Sequence, residues 1–468
     1  MMPGTAGSLV RARARIAACI ALAAFATLMP LELSAQRATD RAAVSRGGSV
    51  SAHATRQAAA TESYEVSGVR VIHRRGTAND VVAANLYLLG GTRLTTPASD
   101  GLEPFLLAAS ERGTDNYPRE AVRRALAEQG TSIGVGAESD WTLFAARATV
   151  PTFEATFEVL ADRVMNPTLE SREVEMVRDL MLSAVRQRRD SPDALLEYLA
   201  DSVAFEGHYY GRSPHGNEHS LASISVSDLQ QFHEQHMVKS RMLLVIVGNV
   251  ERSTVEQIVA RTLGTLPQGS YTWTTPERPT QAASRLVVEP RQLPTNYILG
   301  YYTGPAANSA DYPAMRLATA ILAGRLFHEV RVRRNLTYAV DAPLVDRAWA
   351  AGGLYVTTVS PDTVLALMRL GIEELQTGMI DANGLAQLVQ GFIVQYFMDN
   401  ETNADQADFL ARAQVYRGDW RVADGFVAEL ESVTPMDIQR VSRDYMRDIR
   451  FAYLGDPRRV TPGLARIF

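Results

Sequence analysis

The chain has 468 residues, and 47 Lys and Arg against 52 Asp and Glu leave a net charge of −5. With 46% hydrophobic and 21% charged residues it is neither a disordered nor a fibrous polymer, and its length predicts two to four domains. The absence of a basic excess argues against nucleic-acid binding, and one cysteine excludes a disulfide scaffold and every multi-cysteine metal site.

Residues 1–35 read as a secretory signal. Arg11, Arg13 and Arg15 make a positive start, Ile16 to Met29 is an apolar run too short for a comfortable span, and Leu33-Ser34-Ala35 offers a small residue at the cut. Cys19 leaves with the signal. The product is therefore expected to be exported, periplasmic or secreted, soluble, and without a membrane span. Residues 36–62, rich in Ala, Arg, Ser, Thr and Gly without periodicity, are expected to form a flexible leader.

From there the pattern falls into two similar stretches. Strands are predicted near Tyr64–His73 and Val82–Leu88, helices near Leu102–Glu111 and Arg119–Glu128, then strands near Ile133–Ala137 and Trp141–Val150. Several helices follow between Pro151 and Leu263. The second stretch repeats the order: strands near Leu286–Glu289 and Tyr297–Tyr302, helices near Ala310–Ala323 and Leu326–Arg333, strands near Thr337–Val345 and Gly353–Thr358, then helices. Ser225-Val226-Ser227-Asp228 and Thr434-Pro435-Met436-Asp437 each place a hydroxyl three residues before an acid, a capping-box pattern. Each opens a helix that runs into an apolar strand ending in Gly248-Asn249 or Gly455-Asp456. An offset of 209 residues between Asp228 and Asp437 is the size of a domain, so the chain reads as a duplication. The expected division is an N-terminal domain over 63–266, a linker over 267–284, a C-terminal domain over 285–457 and a tail over 458–468. Strands in pairs followed by runs of helices predict an α+β fold, each domain a largely antiparallel sheet packed with helices.

Several strings then carry a resemblance. Gly101-Leu102, Phe105-Leu106 and Gly113-Thr114, followed by Asn166-Pro167-Thr168-Leu169, Tyr210-Gly211-Arg212 and Arg325-Leu326-Phe327-His328-Glu329-Val330-Arg331 leading to Leu336-Thr337-Tyr338, resemble the peptidase M16 (insulinase/pitrilysin) family in the same order. The resemblance implies two homologous domains forming half a clamshell, with two halves enclosing a peptide chamber. It also implies zinc on a His-x-x-Glu-His motif of the first domain with a distant Glu. Here that register falls on Pro104, Leu107 and Ala108, and the distant Glu on Ala184, none of which can hold zinc or move a proton. In the second domain Arg331 and Tyr338 match the pair that holds the substrate carbonyl and stabilises its developing charge in active members.

Elsewhere His215-Gly216-Asn217-Glu218-His219 is letter for letter His-x-x-Glu-His. Zinc chelation by such a pair needs one helix face, and Pro214, Gly216 and Asn217 predict a loop. His233 and His236 are expected on the surface, His73, His208 and His328 in structural roles. Tyr209/Tyr210 and Tyr301/Tyr302 are expected in the core or a chamber lining. The resemblance thus implies the non-zinc subunit of an exported two-chain metallopeptidase, supplying Arg331, Tyr338 and half the chamber. No metal or cofactor is expected on this chain; a partner with an intact His-x-x-Glu-His is expected to carry the zinc. Small or unfolded peptides are the expected substrates, held by backbone pairing at a sheet edge. The alternatives are a catalytically silent structural or peptide-binding relative, and a zinc enzyme built on His215, Glu218 and His219.

Overall fold

A computed structural model describes residues 60–280 and 282–468; the signal and nearly all of the leader lie outside them. The first ordered element is a hairpin of β1 (Thr61–Val66) and β2 (Val69–Arg75). Its turn holds Ser67 at φ 50° and Gly68 at φ 92°, the left-handed pair that a tight two-residue connection requires. Pairing with Arg74 and His73 recruits Thr61 and Glu62 into β1, so the strand begins two residues inside the expected leader. Next come β3 (Val81–Leu89), α1 (Leu102–Ala109), α2 (Ala121–Gln129), β4 (Ser132–Ala137) and β5 (Trp141–Thr149). Helices α3 (Phe153–Met165), α4 (Ser171–Asp190), α5 (Pro192–Ala204), α6 (Glu218–Ser223) and α7 (Val226–His236) lead to β6 (Met242–Gly248) and α8 (Arg252–Arg261).

The second half repeats this plan: β7 (Arg285–Pro290), β8 (Asn296–Ala306), α9 (Asp311–Leu326), β9 (Thr337–Asp341), β10 (Leu344–Val345) and β11 (Trp349–Thr358). It closes with α10 (Pro361–Thr377), α11 (Ala382–Asp399), α12 (Asn403–Arg417), α13 (Val422–Glu431), α14 (Pro435–Tyr445) and β12 (Arg450–Gly455). The first sheet runs β1-β2-β6-β3-β5-β4; the second runs β10-β11-β8-β12-β7, with β9 also on β11. In each, the last strand lies parallel to an early one (β6 to β2, β12 to β7) and antiparallel to the next (β3, β8). The duplication is therefore in the topology itself. One parallel pair makes each sheet mixed. Both expected capping boxes form, Ser225 with Asp228 opening α7 and Thr434 with Asp437 opening α14.

One face of each sheet carries its own domain's helices; the other is covered by a helix of the opposite domain. Helix α12 lies on β3 and β6, and α5 lies on β8 and β12. Apolar side chains fill both seams, among them Tyr87, Trp141, Val245, Leu410 and Tyr416 on one side and Leu196, Phe205, Leu299 and Leu454 on the other. Ion pairs cross between the domains as well: Arg74 forks onto Asp424 at 2.8 and 2.9 Å, and Arg347 onto Asp201 at 3.0 and 2.7 Å. Buried Asp140, between β4 and β5, accepts hydrogen bonds from Tyr209 at 2.6 Å, Tyr210 at 3.0 Å and Tyr416 of the second domain at 3.0 Å. Burial and that carboxylate together hold all three phenols well above their ordinary pKa. Tyr416→Phe keeps the ring and removes one charge-assisted bond, so urea unfolding should show a loss of about 1.5 kcal/mol.

The tail over 458–468 packs against the second domain. Ala465 and Val460 are buried in the second core, Phe468 lies 4.9 Å from the Phe451 ring, and Arg369 donates to the Ile467 carbonyl at 2.7 Å. Aromatic contact and apolar burial hold these residues on the second core.

Candidate functional site

Gly101 opens α1 at φ 87°, and a Cβ there would stand 2.9 Å from the backbone of Gly216. Glycine is thus required for the loop at 216 to close over the helix start. On α1, Pro104 and Leu107 are buried and Ala108 half-buried, while Ala184 stands exposed on α4. What holds α1 in place is a residue pair that sequence reasoning missed. Glu103, 2% exposed, meets Arg241, 1% exposed, at 2.8 Å, and also accepts from Thr142 at 2.7 Å. Arg241 donates further to the carbonyls of Leu89 at 2.7 Å and His236 at 2.8 Å. One buried guanidinium thus joins α1, β3 and α7. The far end of α1 rests on buried Arg163, which reaches the Leu107 carbonyl at 3.0 Å and stacks 4.7 Å from the Phe144 ring. Burial pulls that guanidinium down to about 10.

The letter-perfect His-x-x-Glu-His does not form one helix face. His215 precedes Asn217, whose side chain caps α6, so only Glu218 and His219 are helical. The short helix corrects the expected loop, but the two histidines stay on different elements. Glu218 is engaged by Arg186 and Arg189 of α4, both at 3.3 Å. Among the described residues no three His, Cys, Asp or Glu side chains converge as metal ligands. His233 is not a free surface group: its Nε2 bonds the Val164 carbonyl at 2.8 Å. His236 packs 4.4 Å from Phe232, and buried His73 sits beside Tyr64 with its pKa lowered, chiefly by burial.

Arg331 and Tyr338 are brought together. After α9 the helix widens into a π-helical turn over Phe327–Arg333, a rare element that re-aims side chains. Asn335 at φ 51° then turns the chain into β9. The Arg331 guanidinium lies 4.9 Å from the Tyr338 ring and 5.2 Å from the Phe327 ring. Tyr338 is 81% exposed, and among the described residues no carboxylate pairs with Arg331. Neighbouring Arg333 and Arg334 are both occupied by Glu329, at 3.1 and 2.8 Å. The phenol faces outward, and the half-buried guanidinium is stacked between it and Phe327.

Two family models match in sequence. Residues 70–216 match the insulinase (peptidase family M16) model and residues 223–392 the peptidase M16 inactive domain. The chain belongs to peptidase family M16. An uncharacterized zinc protease of Mycobacterium bovis is 24% identical over 399 residues, covering 80% of this chain and 88% of the relative. Subunit 1 of the human cytochrome b-c1 complex is 24% identical over 262 residues, 55% of this chain and 54% of that one. Among solved structures, a peptidase M16 inactive domain from Pseudomonas fluorescens superposes with a TM-score of 0.78 at 18% identity, covering 86% of this chain and 99% of that one. A protease from Helicobacter pylori gives 0.76 at 16% identity, over 84% and 99%.

As an M16 chain it should be tested for the family's zinc, and the residues do not fit. Proline, leucine and alanine offer no lone pair, and α1 carries its buried Glu103 toward Arg241. The M16 fold does present a sheet edge: β4 pairs with β5 alone among the described strands, leaving its outer backbone groups open. Pro104, Glu103, Glu138 and Thr142 line one depression at the end of that strand.

Proposed function

We propose that this chain is the non-zinc subunit of an exported, two-chain M16 metallopeptidase. It supplies Arg331 and Tyr338 and half the wall of the peptide chamber, while a partner chain with an intact His-x-x-Glu-His carries the zinc. The observation that carries the reading is the Arg331–Tyr338 pair, 4.9 Å apart, its phenol exposed and its half-buried guanidinium without a carboxylate partner among the described residues. A fixed cation and a phenolic O–H directed at one carbonyl stabilise the negative charge that develops there on attack. The open edge of β4 supports a substrate held in extended form through backbone bonds, which favours small or unfolded peptides over any one sequence.

The test is a pairing experiment. This chain alone, and an exported M16 chain with the complete motif alone, should cleave an unfolded reporter peptide poorly; mixed, they should cleave it well. Tyr338→Phe removes one donor and no packing, so folding and pairing should survive while kcat of the pair falls roughly 10²-fold. An unchanged rate in a pair that still forms would instead favour a catalytically silent wall.

A further inference from the structure

Arginines crowd the stretch that carries Arg331, and the fold treats that one differently. Arg325 pairs with Glu374 at 3.6 Å, and Glu329 takes both Arg333 at 3.1 Å and Arg334 at 2.8 Å. Arg331 has no carboxylate partner among the described residues. Two rings hold it instead, Phe327 at 5.2 Å and Tyr338 at 4.9 Å from the guanidinium. Its backbone is fixed as well: the Asn335 N–H donates to the Arg331 carbonyl at 3.1 Å, and the Leu336 N–H to the Val330 carbonyl at 2.9 Å.

Core packing does not account for Phe327. Leu326 before it and Val330 after it are buried in the second core, but Phe327 is only half-buried and is not part of that core. Among the described residues its ring meets no other aromatic ring, and the cation over it is Arg331. A carboxylate fixes a guanidinium by consuming its N–H donors. Flanking rings fix its plane through their faces and leave the donors at its edge free. A cation that must present those donors to a substrate carbonyl is therefore better held by rings. Glu329 serves the same end from the other side. Arg333 and Arg334 lie close to Arg331 in the chain, and while Glu329 engages both, neither competes for the oxygen that Arg331 addresses.

We propose that Phe327 and Glu329 are positioning residues for Arg331: the ring clamps the guanidinium plane without using its donors, and the carboxylate keeps the two neighbouring cations away. The proposal rests on reading Arg331 as the carbonyl-binding cation of a two-chain enzyme. It is tested first on the purified chain alone, by phenylglyoxal labelling followed at each arginine by peptide mass spectrometry. Phe327→Leu should speed labelling of Arg331 about threefold, the equivalent of one exposed cation–π contact, and leave Arg333 and Arg334 unchanged. Phe327→Tyr keeps the ring and should restore the slow rate. Glu329→Gln should do the reverse, speeding Arg333 and Arg334 but not Arg331. Val332→Ala, at a 60% exposed neighbour on the same turn, should change none of them. In the active pair, Phe327→Leu should lower kcat about tenfold at nearly constant KM, and Phe327→Tyr should recover it. An unchanged Arg331 rate in Phe327→Leu, equal acceleration at all three arginines, or an unchanged kcat overturns the clamp; equal acceleration would mean that the ring only supports the fold. Labelling needs no partner, so the expected rates without activity in any pairing would sink the two-chain enzyme and leave the clamp standing.

Discussion

Glu103→Ala should destabilise the first domain by about 3–5 kcal/mol, the cost of leaving a buried cation without its counter-charge. Arg241 keeps its bonds to the Leu89 and His236 carbonyls, so the guanidinium cannot leave the interior, but the Nη2 group facing Glu103 then points at nothing. Thr142 loses its acceptor in the same step. For a domain of this size the thermal midpoint should fall by roughly 10 °C. Glu103→Gln retains shape and hydrogen-bonding capacity and should cost less. Replacing both partners with methionine should cost least, since two desolvated charges leave together. A Glu103→Ala loss below about 1 kcal/mol, measured by urea unfolding, would mean that water reaches Arg241 and that the pair is not what fixes α1.

The reason such a pair escapes sequence reading is separation. Glu103 and Arg241 are 138 residues apart, and nothing local marks either as buried. Asp140 and its three phenols are similar: Tyr209 and Tyr210 are adjacent in sequence, but their acceptor lies 69 and 70 residues away and Tyr416 lies 276. Elements that depend on short-range chemistry were legible instead. The capping boxes at Ser225 and Thr434, the apolar strands before Gly248 and Gly455, and the order of elements in each half all follow from spacing within one helix turn or one strand. What spacing could not show is that α5 and α12 cross to the opposite domain, because an amphipathic helix does not say which sheet it will cover. The spacing of Arg331 and Tyr338 was legible through resemblance alone. Their stacking depends on the π-helical turn, which no residue pattern announces.

Restoring ligands to α1 should turn the first domain into a zinc-dependent fold. The substitutions are Pro104→His, Leu107→Glu, Ala108→His and Ala184→Glu. Pro104 is the third residue of the helix, where a backbone N–H has no intrahelical partner, so histidine there breaks no ladder bond. Ala184 is exposed and accepts a larger side chain at modest cost, whereas half-buried Ala108 packs against the first core, so histidine there must displace part of its surroundings. Position 107 decides the energetics. Leu107 is 1% exposed and part of the first core, so a carboxylate there costs about 3–5 kcal/mol while it lacks a counter-charge. Burial would raise the folded-state pKa of this new carboxyl above its unfolded value near 4.3. The penalty is therefore absent below that pH and grows as pH rises toward the folded value, so the metal-free variant should be relatively most stable in acid. Zinc reverses the sign by supplying the charge, and at a hundred times its dissociation constant it should return about 2.7 kcal/mol. Melting curves at neutral pH with zinc and with a chelator measure the difference directly. A variant that folds but shows no zinc-dependent shift would mean that positions 104, 107 and 108 do not stand where the family's ligands stand, and that the register across Gly101–Thr114 is wrong. Binding should return more readily than hydrolysis, because the groups that orient metal-bound histidines are not supplied by these four substitutions.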